Sequence, residues 1–355
     1  MRNINKHIYD IHGIAQIRSN VDVGLSRFFE KTESVPDKGP DSTIITINAL
    51  DDFYVDLSDS VRGGPRFHYF ESRDWLYFEY PWLGKRLKLL LKSAQEDPNR
   101  IDVFVNAPYC RWMRFGYELR ELAEALFCVK LLQSGYAVLH AASLSSDQRG
   151  VVLPSFADTG KTTTVLALCR SGTFKYLSDD LTIVKPTGEV FCFPTFLTIS
   201  LGTRKRFHVT MSAGKNLSLV FKSLVSHVIP SPLMLPDVRI DPCELFDRAD
   251  IQPKTNVKNI YFLEIGPKKM NDVDDNIAVR KLIAINRSEL GWYHNIILRF
   301  YDYFNGELNL EGLMMKENKI LRSFVQKTET CSLLRCRKGQ HGIFLSDLLK
   351  HYNSR

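Results

Sequence analysis

The run Gly150-Val-Val-Leu-Pro-Ser-Phe-Ala-Asp-Thr-Gly-Lys-Thr-Thr-Thr164 constrains this chain more than any other stretch. Its apolar start reads as a buried strand. Lys161–Arg170 reads as a helix stopped by Ser171-Gly172, and the short loop between them ends in Gly160-Lys161-Thr162. A strand feeding a helix through such a loop aims successive backbone N–H groups, and the helix N-terminus, at one point, which stabilises an anion there. As a phosphate-binding loop, Ser155, Phe156, Ala157, Asp158, Thr159, Gly160, Lys161, Thr162 and Thr163 would surround nucleotide phosphates. Lys161 would set its ammonium between the β- and γ-phosphates, and the Thr162 hydroxyl would coordinate magnesium. Ser155 stands where the pattern G-x-x-x-x-G-K-[ST] has its first glycine. A serine takes that turn at a conformational cost, so a tighter or differently bent loop is expected.

Two further signals flank this unit. In Tyr176-Leu-Ser-Asp-Asp-Leu-Thr-Ile-Val184, two adjacent carboxylates sit inside an apolar strand. Side chains alternate across a strand, so Asp179 and Asp180 cannot share a face unless the strand ends there. At a strand end one could hold magnesium while the other faces an acceptor hydroxyl. Two acids in such surroundings need a cation or donors nearby. The other signal is His140, in the apolar strand Tyr136–Leu144. Alone, such a histidine is more often a satisfied core residue than a catalyst.

The rest of the chain supplies the setting. Residues 1–43 read as an N-terminal segment and a polar linker, Lys31–Thr43, with two prolines and a glycine. Residues 44–135 read as a β-rich lobe with runs at Thr43–Ala49, Phe53–Leu57, Arg66–Glu71, Trp75–Tyr80 and Ile101–Asn106, closed by a helix between Trp112 and Leu132. Residues 136–355 read as the nucleotide-binding domain, with a strand Val257–Ile265 and helices at Ser288–Phe304, Met315–Gln326 and Leu345–Tyr352. From Val190 to Pro236 there are 47 residues without one Asp or Glu, in a chain that has 40 acids in 355 residues. Arg204 and Arg206 in this stretch are expected to contact nucleotide phosphates or an anionic acceptor, arginine being suited to bidentate recognition. Lys268-Lys269 and Arg335–Lys338 read as solvated turns. The net charge of +7 permits an anionic partner, and the absence of aromatics among the basic clusters argues against nucleic acid. Apolar runs are far below the roughly 20 residues of a membrane span, so no membrane role is expected. Seven scattered cysteines without a CxxC pair read as reduced thiols of a cytoplasmic protein.

Taken in order, His140-Ala-Ala-Ser-Leu144, Gly150–Pro154, Gly160-Lys161-Thr162 and Leu177-Ser-Asp-Asp-Leu181 resemble the core of the HPr kinase/phosphorylase family, with phosphoenolpyruvate carboxykinase a more distant relative. The resemblance covers about residues 136–202. It implies an α/β fold with a P-loop nucleotide-binding core of that type, joined here to the β-rich lobe. It also implies a Mg2+-dependent kinase that passes the γ-phosphoryl group of ATP or GTP to a hydroxyl on a protein, peptide or small molecule. One carboxylate, Asp179 or Asp180, would be the base and its neighbour the metal ligand, the resemblance leaning towards Asp180 with Thr162 on magnesium. Lys161 and His140 would be the other catalytic residues, His140 tuning the pair. The glycine- and arginine-rich motif that accompanies phosphorolysis in the bifunctional enzymes is missing, so kinase chemistry is implied more than its reverse. Family precedent implies homo-oligomers. The alternative is a nucleotide-binding regulatory or assembly module with weak or no hydrolysis, which the Ser155 departure favours and the Asp179-Asp180 pair disfavours.

Overall fold

The computed structural model describes residues 6–31, 43–94, 97–112, 118–146, 149–193, 195–228, 237–305 and 308–353. The chain is mixed α/β. It opens with strands β1 (His7–Ile11), β2 (Ala15–Ser19), β3 (Thr43–Leu50), β4 (Val61–Arg62), β5 (Phe67–Phe70), β6 (Trp75–Trp82), β7 (Lys85–Ala94) and β8 (Asp97–Asn106), then helices α1 (Ala107–Trp112) and α2 (Leu119–Gln133). There follow β9 (Ala137–Leu139), β10 (Ala141–Ser146), β11 (Arg149–Pro154), α3 (Lys161–Arg170), β12 (Lys175–Ser178), β13 (Thr182–Val184), β14 (Glu189–Cys192) and β15 (Leu197–Ser200). Next are α4 (Leu201–Arg206), α5 (Ala213–Val228), β16 (Asp237–Ile240), β17 (Lys254–Ile265), β18 (Lys269–Asp272) and α6 (Asp275–Glu289). The chain closes with α7 (Ile296–Phe304), α8 (Leu310–Val325), β19 (Thr330–Cys336) and α9 (His341–Asn353). Among the described residues no helix is long and apolar enough to cross a membrane.

Two compact units divide the chain. The first comprises residues 1–25, 29–137 and 290–319. Its sheet has the order β1-β2-β3-β8-β7-β6-β5-β4, with β2·β3 and β3·β8 parallel. Residues 290–319, which the sequence reading kept with the nucleotide-binding domain, group with this unit because of aromatic packing. Phe300 of α7 stacks on Phe67 at 3.8 Å between ring centroids, and Phe304 stacks on Tyr69 at 4.9 Å.

The second unit comprises residues 26–28, 138–289 and 320–355. Its main sheet runs β12-β10-β11-β17-β14-β13-β9, with β19 added beside β17 and β18 beside β19. The β11·β17 and β17·β19 pairs are parallel, so β11, β17 and β19 run the same way. Leu153, Val165, Leu166, Leu263, Leu334 and Leu345 fill the core between sheet and helices, each buried. Each such aliphatic side chain contributes about 1.5–3 kcal/mol of burial.

Several sequence expectations change. Phe53–Leu57 is not a strand, although it alternates; Phe53, Val55 and Leu57 pack on Phe70, Tyr77 and Leu90 without backbone pairing. The N-terminal segment carries two strands, β1 and β2. Ser288–Phe304 is not one helix: α6 ends at Glu289, and α7 starts anew at Ile296 behind the Asn295 cap. Most of the linker Lys31–Thr43, the end of the acid-free stretch and Phe115 of the expected long helix lie outside the described residues.

Candidate functional site

The loop expected to hold phosphate lies between β11 and α3, and the helix begins at Lys161 as read from the sequence. Gly160 caps it with φ at 107°, a left-handed conformation that side chains resist. Asp158 supplies the other positive φ of the loop, at 58°. Ser155 is absent from the positive-φ positions, so the loop does not need a glycine there. The Thr163 and Thr164 hydroxyls both donate to the Gly160 carbonyl at 2.8 Å and tighten the first helical turn.

The strands on either side break where the chemistry-bearing residues stand. His140 falls in the gap between β9 and β10, and Asp179-Asp180 fall in the gap between β12 and β13. The break releases the alternation of side chains, so both carboxylates come near Lys161, although their surroundings differ. Asp179 is 2% exposed and accepts a hydrogen bond from the Thr162 hydroxyl at 2.7 Å. Its other oxygen, Oδ1, is buried without a hydrogen-bond partner. Burial first, and the neighbouring Asp180 carboxylate second, push the Asp179 carboxyl up to about 7, against the opposing pull of Thr162 and Lys161. The Asp180 side chain is 53% exposed.

Asp180 belongs to a second cluster. Its Oδ1 lies 3.0 Å from His140 Nε2 and 3.8 Å from Lys161 Nζ, and Lys161 Nζ lies 3.3 Å from the same ring nitrogen. His140 Nδ1 is 2.9 Å from the Ser155 carbonyl, which can only accept, so Nδ1 carries a proton. Nε2 and the Asp180 oxygen then face each other with lone pairs unless a proton or a cation stands between them. The Lys161 ammonium lies beside both atoms, within donor reach of Nε2. It also donates to the Ser155 carbonyl at 3.2 Å, turning back on its own loop. Burial lowers the Lys161 pKa, while Asp180, Asp179, Glu289 and Asp158 oppose that shift.

The loop expected to hold phosphate, Lys161, His140 and both aspartates are therefore brought together. Thr162 and Asp180, expected to share a metal, occupy different clusters: Thr162 bonds to Asp179 and Asp180 faces His140 and Lys161. Among the described residues no group of three or more His, Cys, Asp and Glu could hold a metal ion. A hydroxyl and a buried carboxylate with an unsatisfied oxygen nevertheless fit Mg2+, which takes few protein ligands and leaves the others to phosphates and water.

Sequence reading missed three contributors. Glu289 Oε1, at the end of α6, accepts from the Ala157 amide at 3.3 Å, an N–H of the loop itself. Lys338 pairs with Asp158 at 3.7 Å. Gly339 comes so close that a Cβ placed on Gly160 would lie 3.5 Å from its nitrogen. The Arg335–Lys338 segment, read as a solvated turn, thus reaches the loop at Lys338. Arg206 reaches the same place: its Nη1 would lie 2.5 Å from a Cβ on Gly339. Arg204 is half-buried with an unpartnered Nε, and nothing places it at the loop. No local signal in the sequence marks these long-range approaches, apart from a Lys-Gly step just after the last strand. Compared with protein-family models and with curated proteins, the chain matches none of them.

Proposed function

We propose that the second unit is a nucleotide-dependent kinase of the HPr-kinase-like P-loop type, moving the γ-phosphoryl group of ATP or GTP to an acceptor hydroxyl. The observation that carries this reading is the convergence of the strand–loop–helix anion site with two carboxylates in contrasting environments. Phosphoryl transfer asks for positioning, charge neutralisation and one carboxylate facing the acceptor, and little else. The loop amides and Lys161 bind the β- and γ-phosphates. Thr162 and Asp179 hold Mg2+, which when bound neutralises charge on the phosphate oxygens. This exchanges the roles expected of the two aspartates, because the buried carboxylate beside Thr162 suits a cation and the exposed one suits a substrate.

Asp180 is then the base. The acceptor oxygen forms a bond to the γ-phosphorus as the bond from that phosphorus to the β–γ bridging oxygen breaks. The acceptor proton passes to the His140–Asp180 pair, where it fills the 3.0 Å gap as an Nε2–H to carboxylate hydrogen bond. Lys161, drawn towards phosphate, leaves the side of the pair. His140 is held for this by its Nδ1–H to the Ser155 carbonyl.

The second reading, a nucleotide-binding module without transfer, draws on the Glu289 carboxylate at the Ala157 amide, which competes with phosphate for a loop donor. The two separate in one experiment. The protein is incubated with γ-labelled ATP or GTP, Mg2+ and candidate acceptors, and label on acceptor, label as free phosphate and retained nucleotide are measured. Label on an acceptor that disappears in Asp180→Asn supports the kinase. Nucleotide retention with neither transfer nor release supports the module. No retention at all removes both.

A further inference from the structure

Three separate stretches of the second unit meet at the Gly160 end of the phosphate loop. Gly160 ends the loop, and its position for a Cβ lies 3.5 Å from the Gly339 nitrogen and 3.9 Å from His341 Nδ1. Gly339 itself has φ at 82°, and its Cβ position lies 2.5 Å from Arg206 Nη1. Two left-handed glycines therefore allow two backbones and a guanidinium to stack in a space that side chains would fill. Arg206 has no carboxylate partner among the described residues; its guanidinium lies over the Phe207 ring, 5.3 Å away. Lys338, the residue before Gly339, meets the exposed Asp158 carboxylate of the loop at 3.7 Å. His341 is fully buried; its Nε2 meets the Glu264 carbonyl at 2.9 Å, and its Nδ1 has no partner.

We propose that Arg206, Lys338 and the Gly339 backbone form a second anion clamp, which reads the terminal phosphate of a nucleoside triphosphate bound at the phosphate loop. The inference rests on the nucleotide reading above and adds to it a residue set that separates triphosphate from diphosphate. Lys338 exchanges the Asp158 carboxylate for phosphate oxygens, and Arg206 offers its guanidinium fork to the same group. Gly339 sets the specificity: a Cβ there meets the far end of the Arg206 side chain, so substitution displaces the guanidinium. His341 Nδ1, near Gly160, is a buried acceptor that a water bound with the ligand would satisfy, its Nε2–H being spent on the Glu264 carbonyl.

The test measures binding of Mg2+ complexes of β,γ-imido triphosphates and of diphosphates, with adenine and guanine bases, by calorimetry. The parent is compared with Lys161→Ala, Lys338→Ala, Arg206→Ala, Gly339→Ala and the double variant Arg206→Ala/Gly339→Ala. Lys338→Ala and Arg206→Ala should each weaken triphosphate about tenfold or more while changing diphosphate by less than about twofold. Gly339→Ala should weaken triphosphate no more than Arg206→Ala does, and the double variant should match Arg206→Ala, because the glycine acts only through the guanidinium it makes room for. Melting temperatures identify any variant that fails to fold; should Gly339→Ala be one, Lys338→Ala and Arg206→Ala decide alone. Parent-like triphosphate binding in those two, with binding lost in Lys161→Ala, would overturn the clamp and leave the nucleotide reading standing. Parent binding that is absent, or indifferent to Lys161→Ala, overturns both.

Discussion

Asp74 in the first unit and Asp179 in the second are both carboxylates drawn in from solvent, and they are treated in opposite ways. Asp74 is surrounded by donors. Its Oδ1 accepts from the Tyr69 hydroxyl at 2.9 Å and from the Asn305 amide at 2.7 Å, and its Oδ2 accepts from the Tyr301 hydroxyl at 2.6 Å. Asp179 has the Thr162 hydroxyl on one oxygen and nothing on the other. A buried polar group with every partner in place is a structural element. One left short is costly to the fold and invites a ligand. The contrast extends to the neighbouring groups: Asp74 raises the Tyr301 hydroxyl after burial has done so, whereas Asp180 raises Asp179 itself.

The sharpest way to break this contrast is through Lys161. If the second unit is built for a phosphate, Lys161→Ala should lower transfer about a hundred- to thousandfold with the melting temperature retained. A rate within twofold of the parent at saturating Mg2+ would make the Asp179 environment a quirk of packing.

Stability tests the two aspartates directly. The Asp179 carboxyl is raised from 3.8 to about 7 on folding. The folded chain therefore binds more protons than the unfolded one between those values, and its stability falls as pH rises through that window. Asn at 179 mimics the protonated acid. In chelator, Asp179→Asn should therefore gain up to about 4 kcal/mol over the parent at pH 8, and the gain should vanish by pH 4. Asp74→Asn should move the other way, losing about 1–3 kcal/mol, because one tyrosine hydroxyl then meets an amide N–H in place of a carboxylate oxygen. Denaturant melts at both pH values would show whether the signs differ; matching signs would dissolve the comparison.

The smallest effect concerns Glu289. Its carboxylate bonds the Ala157 amide, and Glu289→Gln keeps the shape while removing the charge that opposes phosphate. Nucleotide affinity measured by calorimetry should rise about three- to tenfold. A fall would mean that Glu289 helps to build the loop and does not compete for it.

What could be read from the sequence was local. The strand, loop and helix around Gly160-Lys161-Thr162 are contiguous, so turn chemistry and periodicity place them without tertiary information. Strand alternation also showed that Asp179 and Asp180 could share a face only at a break, and a break is there. Which carboxylate would be buried was not legible, because that depends on Thr162 docking across the sheet end. Alternation misled at Phe53–Leu57, where it reports burial of every second side chain against Phe70 and Tyr77 without a partner strand. β7 escaped notice for the converse reason: its lysines and leucines look irregular until Leu89 and Leu91 pair across to Val105 and Val103. Lys338, Gly339 and Glu289 lie far from the loop in sequence, and no periodicity announces such an approach.

The meeting of Gly160 with Gly339 also sets an order of events during synthesis. A ribosome releases the loop and α3 long before β19 takes its place beside β17 and α9 follows. Until then the loop has its strand and helix but lacks the backbone that meets Gly160, and Arg206 has no glycine to lie across. The segment at Gly339 thus arrives late in the second unit, just ahead of α9, and a nascent chain carries the loop before it carries the residues that pack against Gly160.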